Sequence, residues 1–207
     1  MGHGADRGRM VRQHQEAVWA QQLTVNRLRS LLLEFYPAAL RAFPNLNHKA
    51  ALTILRAAPT PTQGARLTPR RIVALLRQSG RGNRPGLAEK IQAALRAPQL
   101  HQRPPVEAAL GCALVGLVDV ILAMQSSLAG LEQALADEFA KHPLQPILTS
   151  APGLGPILAA RVLAEIGDDL TRFQTADGLR AFAGTAPITR ASGRSRIVSA
   201  RRVRNKR

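Results

Sequence analysis

Ser192 lies in the run Phe182-Ala-Gly-Thr-Ala-Pro-Ile-Thr-Arg-Ala-Ser-Gly-Arg-Ser-Arg-Ile-Val-Ser199, with Arg190 before it and Arg194 and Arg196 after it. A hydroxyl among guanidinium groups has the makings of an attack on a phosphodiester. The cations hold the phosphate, offset the charge added in the transition state and ease deprotonation of the serine. The same residues suit a plainer role, with Ser192 as a turn residue and the arginines only clamping phosphates. No His, Asp or Glu is near in sequence to act as a base, so residue chemistry leaves both readings open. Pro187–Ala191 and Arg194–Ser199 are short and partly alternating, with Ser192-Gly193 between them, which predicts a hairpin or loop presenting the hydroxyl.

Upstream, Pro152-Gly-Leu-Gly-Pro156 opens the apolar run Ile157 to Ile166. Gly153 and Gly155 free the backbone for a tight turn, and Pro156 suits a first helical position. Such a turn points unpaired N–H groups and the positive end of a helix at one spot, where a phosphate can sit. It resembles a helix-hairpin-helix, which grips duplex DNA by its backbone without reading bases; an ordinary helix start is the alternative. Asp168 and Asp169 come next, and adjacent carboxylates suit either a Mg²⁺ site or a solvated cap; no residue is assigned as a metal ligand. Beyond Ser192 the chain is basic without an acid: Arg194, Arg196, Arg201, Arg202, Arg204, Lys206 and Arg207. Beside a phosphate site, such a tail is read as a contact to nucleic-acid backbone.

The whole composition fits that partner. Among 207 residues, 29 are Lys or Arg and 13 Asp or Glu, for a net charge of +16. A 45% hydrophobic share excludes a disordered basic tail, and aromatics at 3% argue against binding single strands by base stacking. Cys112 is the single cysteine, so there is no intrachain disulfide framework and no cysteine-rich zinc module. Met1 to Met10 is charged with no apolar run behind it, so no signal peptide is expected and the cytoplasm is the expected compartment.

The elements that must position these residues read as mainly α-helical. We expect a long coiled-coil helical hairpin, then a small helical C-terminal domain bearing the helix-hairpin-helix-like turn and the short β-hairpin or loop. Residues 1–105 form a helical region whose heptad helix, 13–36, carries Val18, Val25, Leu28, Leu32 and Phe35, with Gln21 as its one polar seam position. An irregular insert lies beyond it. In it, Pro59, Pro61, Gly64 and Pro69 bracket a loop, Thr68-Pro69 caps a helix over Arg70–Gln78, and a basic turn, Arg81 to Gly86, precedes a helix over Leu87–Ala97. Residues 106–143 form the second coiled-coil helix, with Leu110, Leu114, Leu117, Ile121, Met124, Leu128, Leu131 and Leu135 at alternating spacings of four and three. Asp119 amid the apolar run from Ala108 to Met124 disfavours a membrane span, so no membrane partner is expected. The two heptad helices can pair within one chain or between two copies, and a homo-oligomer through the coiled coil is expected. Residues 144–207 form the C-terminal domain, with a short helix over Thr175–Phe182.

The stretch Pro152-Gly-Leu-Gly-Pro…Ala-Arg-Val-Leu-Ala-Glu-Ile-Gly-Asp…Phe173…Phe182-Ala-Gly-Thr-Ala-Pro-Ile-Thr-Arg-Ala-Ser-Gly-Arg resembles the C-terminal domain of insertion-sequence-110 family transposases. The helix with Trp19-Ala…Asn26-Arg-Leu-Arg…Glu34-Phe-Tyr-Pro37 is similar to the family's middle region. The resemblance implies a serine transposase acting on double-stranded DNA, with Ser192 matching the nucleophile and a structured noncoding RNA choosing the DNA. It also implies an RNase-H-like, RuvC-type domain whose Asp/Glu tetrad binds Mg²⁺. That domain is expected to lie upstream of this chain, so no cofactor is expected on the chain's own residues. Related chains are expected to run on past the position of Arg207. A noncatalytic nucleic-acid-binding remnant and a helical assembly module are the alternative readings.

Overall fold

The computed structural model describes residues 3–82, 86–167 and 169–200, and the chain is mainly α-helical. Two long helices set its length: α1, His3–Phe35, of 33 residues, and α7, Pro104–Ala140, of 37. They run antiparallel. His14 near the start of α1 meets Glu132 near the end of α7 at 3.3 Å, whereas Tyr36, just beyond α1, lies beside Glu107 in the first turn of α7. The pairing that sequence left open between one chain and two is therefore made within the chain.

Five short helices fill the connection: α2 (Pro37–Ala42), α3 (Lys49–Ala57), α4 (Pro61–Arg66), α5 (Pro69–Gln78) and α6 (Leu87–Leu95). Local chemistry starts them. Pro37 forces Tyr36 out of the helical region and ends α1. Thr60 Oγ1 accepts the Gln63 N–H at 3.2 Å, and Thr68 Oγ1 accepts the Arg71 N–H at 3.3 Å, each threonine preceding a proline at the first helical position. The loop read between Pro59 and Pro69 thus contains a helix, because Thr60-Pro61 is the same start signal as Thr68-Pro69. The basic turn read at Arg81–Gly86 lies partly outside the described residues. Gln99 Oε1 accepts the Ala38 N–H and Gln92 donates to Leu67 O within the insert, and Gln125 of α7 donates to Asn47 O, fastening the insert to that long helix.

Inside, Val25, Leu28, Leu32 and Phe35 of α1 pack with Leu114, Val118 and Ile121 of α7 and with Leu52, Leu55, Ile72, Leu76 and Leu95 of the insert. The α7 seam departs from the expected one. Leu114, Ile121, Leu128 and Leu135 are buried, whereas Leu110, Leu117, Met124 and Leu131 are half-buried, and the row one residue later is buried at Gly111, Val118 and Phe139. That row is Gly111, Val118, Gln125, Glu132 and Phe139, with Gln125 half-buried and Glu132 exposed. Apolarity could not reveal it, since three of its five members are glycine, glutamine and glutamate. By length and composition α7 could cross a membrane. Here it packs on α1, α3 and α9, and Asp119 pairs with Arg56 at 2.9 Å.

α1 also begins ten residues before the periodic signal. Its first turns hold few apolar residues, but Val11 and His14 are buried there. The C-terminal part comprises α8 (Gln145–Thr149), α9 (Pro156–Ile166), a 3-10 turn at Leu170–Arg172, α10 (Ala176–Phe182) and an antiparallel hairpin, β1 (Ile188–Ser192) with β2 (Ser195–Ser199). Its core is small: Ala159, Ala160 and Leu163 of α9 against Phe139 of α7.

Candidate nucleic-acid interface

The hairpin register places the reactive candidates. Ile188 pairs with Ser199, Arg190 with Ile197, Ala191 with Arg196, and Ser192 with Ser195. The loop is therefore Gly193-Arg194 rather than Ser192-Gly193, and Ser192 is the last residue of β1. Gly193 has φ +56° and Arg194 does not have positive φ, the pattern of a type II′ turn with glycine first. Directly paired residues share a face and neighbours alternate. Ser192 consequently shares a face with Arg190, Ser195 and Ile197. Arg196 lies on the opposite face with Thr189 and Val198, and Arg194 occupies the turn. The expected ring of three arginines around Ser192 reduces to Arg190 on its face and Arg194 beside it, because a one-residue change of register reverses every side chain.

Apart from half-buried Ile188, all of these residues are exposed, including Ile197 at 61% and Val198 at 57%. No acid occurs after Asp177, so nothing in the C-terminal sequence neutralises the hairpin's guanidinium groups. Among the described residues Ser192 Oγ makes no side-chain hydrogen bond, so a base for it must come from elsewhere. Ser195, across the strand pair, is a second hydroxyl that sequence reading missed; only the register reveals it. Arg201, Arg202 and Arg204, together with Lys206 and Arg207, lie outside the described residues.

The glycine turn is built as its sequence suggests. Gly153 takes φ +82°, Gly155 is the N-cap of α9, and Pro156 is its first residue. A Cβ at either glycine would meet nothing within 4 Å, so the turn faces open space. α8 packs on α9 across it. The hairpin strands pack extensively only on each other, so Gly153 and Gly155 are not gathered with Ser192 into one pocket.

Asp169 is a cap. Its Oδ1 accepts from the Thr171 N–H at 2.9 Å and from Thr171 Oγ1 at 2.6 Å, and these bonds hold the carboxyl below its usual range. Asp168 lies outside the described residues. Among the described residues no cluster of three or more His, Cys, Asp or Glu could hold a metal ion, and no step is assigned to one. Arg172 ties the 3-10 turn to its neighbours: it donates to Ile166 O at 3.0 Å at the end of α9, and its guanidinium lies 4.7 Å from the Phe182 ring and 5.2 Å from that of Phe173. It also borders a cleft of about 830 Å³ between α1 and α9, lined by Arg12, Glu16, Trp19, Arg161 and Glu165 among others. No sequence signal marks this cleft, because its walls come from elements far apart in the chain.

Residues 145–207 match the family model described as "Transposase IS116/IS110/IS902 family", and the chain belongs to that family. A mini-circle protein of Streptomyces coelicolor, named as a candidate transposase for IS117, is 44% identical over 203 residues, covering 96% of this chain and 49% of that protein. The insertion element IS110 43.6 kDa protein, also of Streptomyces coelicolor, is 34% identical over 83% of this chain and 42% of its own length. The insertion element IS900 42 kDa protein of Mycobacterium paratuberculosis is 30% identical over 74% of this chain and 38% of its own. The chain spans about half the length of the first of these relatives and less of the others. No solved structure matches it significantly.

Proposed function

We propose that this chain is the DNA-handling, strand-joining part of a transposase and that Ser192 is its nucleophile. The observation that carries the reading is the placement of Ser192 at the open end of β1, with Arg190 on its face and Arg194 in the adjoining turn. Ser192 Oγ bonds to phosphorus as the P–O bond to the leaving strand breaks. Its proton passes to a base, and the leaving DNA oxygen is protonated as a free hydroxyl. Arg190 and Arg194 bind the phosphate and offset its added charge. Gly153 and Gly155 open a helix-hairpin-helix-like contact to duplex backbone. Arg196 and the tail arginines 201, 202 and 204 add nonspecific phosphate contacts. An acidic RNase-H-like domain binding Mg²⁺, a structured guide RNA, self-association along α7 and a cytoplasmic location complete the proposal.

The test is a covalent protein–DNA adduct on a denaturing gel. This chain is supplied with the portion of the IS117 relative that it does not span, together with element-end DNA. An adduct that Ser192→Ala removes supports the reading; an adduct that survives the change overturns it. A second reading, noncatalytic binding, is favoured by the lack, among the described residues, of a base on Ser192 Oγ. It predicts no adduct in either protein, with salt-sensitive binding unchanged by Ser192→Ala.

A further inference from the structure

Charge is divided unevenly along this fold. The insert between the long helices, Pro37 to Arg103, holds twelve Lys or Arg and a single acid, Glu89, whereas α7 holds five acids and no base. The largest excess of positive charge therefore sits on a folded helical unit, not on the C-terminal tail. Each described basic residue of the insert is exposed, while beneath them Leu46, Leu52, Leu55, Ile72, Leu76 and Leu95 form a shared core. Although α7 offers acids alongside, among the described lysines and arginines of the insert only Arg56 forms an ion pair, with Asp119.

α5 shows the pattern most sharply. Ile72, Leu75 and Leu76 face the core, leaving Arg70, Arg71 and Arg77 outside, with Arg81 just past the helix end. Arg70 and Arg71 stand in the first turn, with no acid there. Cations at that end oppose the helix dipole, at a cost of some tenths of a kcal/mol each. A solvated surface helix usually mixes signs and pairs them at i,i+4. This one repels itself at both levels, and a bound polyanion removes the repulsion. Arg70 and Arg77 are seven residues apart, about 10 Å along one face, a span that can follow successive backbone phosphates.

We propose that the outer face of α5 with Arg81 is a second nucleic-acid surface, which engages phosphodiester backbone independently of the C-terminal hairpin. It extends the transposase reading but does not rest on Ser192. The test is fluorescence anisotropy of the full chain with a short DNA duplex and with an RNA stem-loop, each across a salt series. The variants are R70Q/R71Q/R77Q, the charge-keeping R70K/R71K/R77K, and R190Q/R194Q/R196Q. For the first, the log–log salt slope should fall by roughly 2–3, at about 0.9 per lost phosphate contact. The lysine variant should keep the wild-type slope, and the hairpin variant should keep the part carried by α5. Loss on DNA alone, RNA alone or both supports the surface and names its source. The proposal is overturned if the glutamine variant keeps the wild-type slope on both probes, or if the lysine and glutamine variants lose it equally. Adduct formation reports on Ser192 separately, so either proposal can fail alone.

Discussion

The helical body and the C-terminal unit are built on opposite terms. From Val25 to Ile121 the long helices and the insert share one buried cluster, in which Leu28, Leu32, Leu52, Ile72, Leu114, Val118 and Ile121 are fully enclosed. After Leu163, by contrast, Gly184 is the single buried residue among those described. The hairpin with Ser192 stands on hydrogen bonds, the Arg172–Phe182 contact and its own ladder. The body supplies stability by removing apolar surface from water. The C-terminal unit keeps the Ser192 hydroxyl and the hairpin arginines exposed, together with Ile197 and Val198.

That contrast can be broken or sharpened by substitution. Phe139 is the one body residue in the small C-terminal core, so Phe139→Ala should cost about 3–5 kcal/mol. Hydrogen exchange should accelerate in α9 before it does in the insert; uniform acceleration would mean that the two regions unfold as one. Gly64→Ala tests the body alone. A Cβ there would collide with the Tyr36 ring and hydroxyl, so a loss of about 3 kcal/mol is expected in a chemical melt, with C-terminal exchange rates unchanged.

Glu107 gives a pH-dependent effect. Burial acts to raise its carboxyl, but hydrogen bonds from Thr62, His101 and Thr60 outweigh it and hold the group below its usual range. A depressed carboxylate stabilises the fold at pH above its unfolded value, near 4.3, and loses that contribution as pH falls through the folded value. Glu107→Gln should therefore lower Tm at pH 7, by the equivalent of about 1–3 kcal/mol. The gap from wild type should close as pH falls below about 4; a constant gap would show that the charge is irrelevant. Arg172→Ala should cost only about 1 kcal/mol, visible as faster exchange around α10 and the hairpin.

Sequence made the body legible wherever local chemistry starts or stops an element. Thr68-Pro69, Thr175 and Pro104-Pro105 mark α5, α10 and α7 to within a residue or two. It failed where tertiary contact overrides pattern. The second α7 row runs through buried Gly111, half-buried Gln125 and exposed Glu132, which meet the close Thr60 side chain, the Asn47 carbonyl and His14. His14 is 3% exposed in the seam, a placement that no periodicity of apolar residues announces. In the candidate site, residue types pointed to Ser192 and its arginines, but the choice of turn residues set the register. That one-residue difference puts Arg196 behind the strand pair and Ser195 opposite Ser192.

Ser195 makes the most direct test a matter of which oxygen carries the DNA. The adduct formed with element-end DNA can be digested with protease and nuclease, and the modified peptide sequenced by mass spectrometry. The account predicts a nucleotide phosphodiester on Ser192, its absence from Ser192→Ala, and a melting temperature for that variant equal to wild type. A nucleotide on Ser195, or on any residue outside the hairpin, would contradict it.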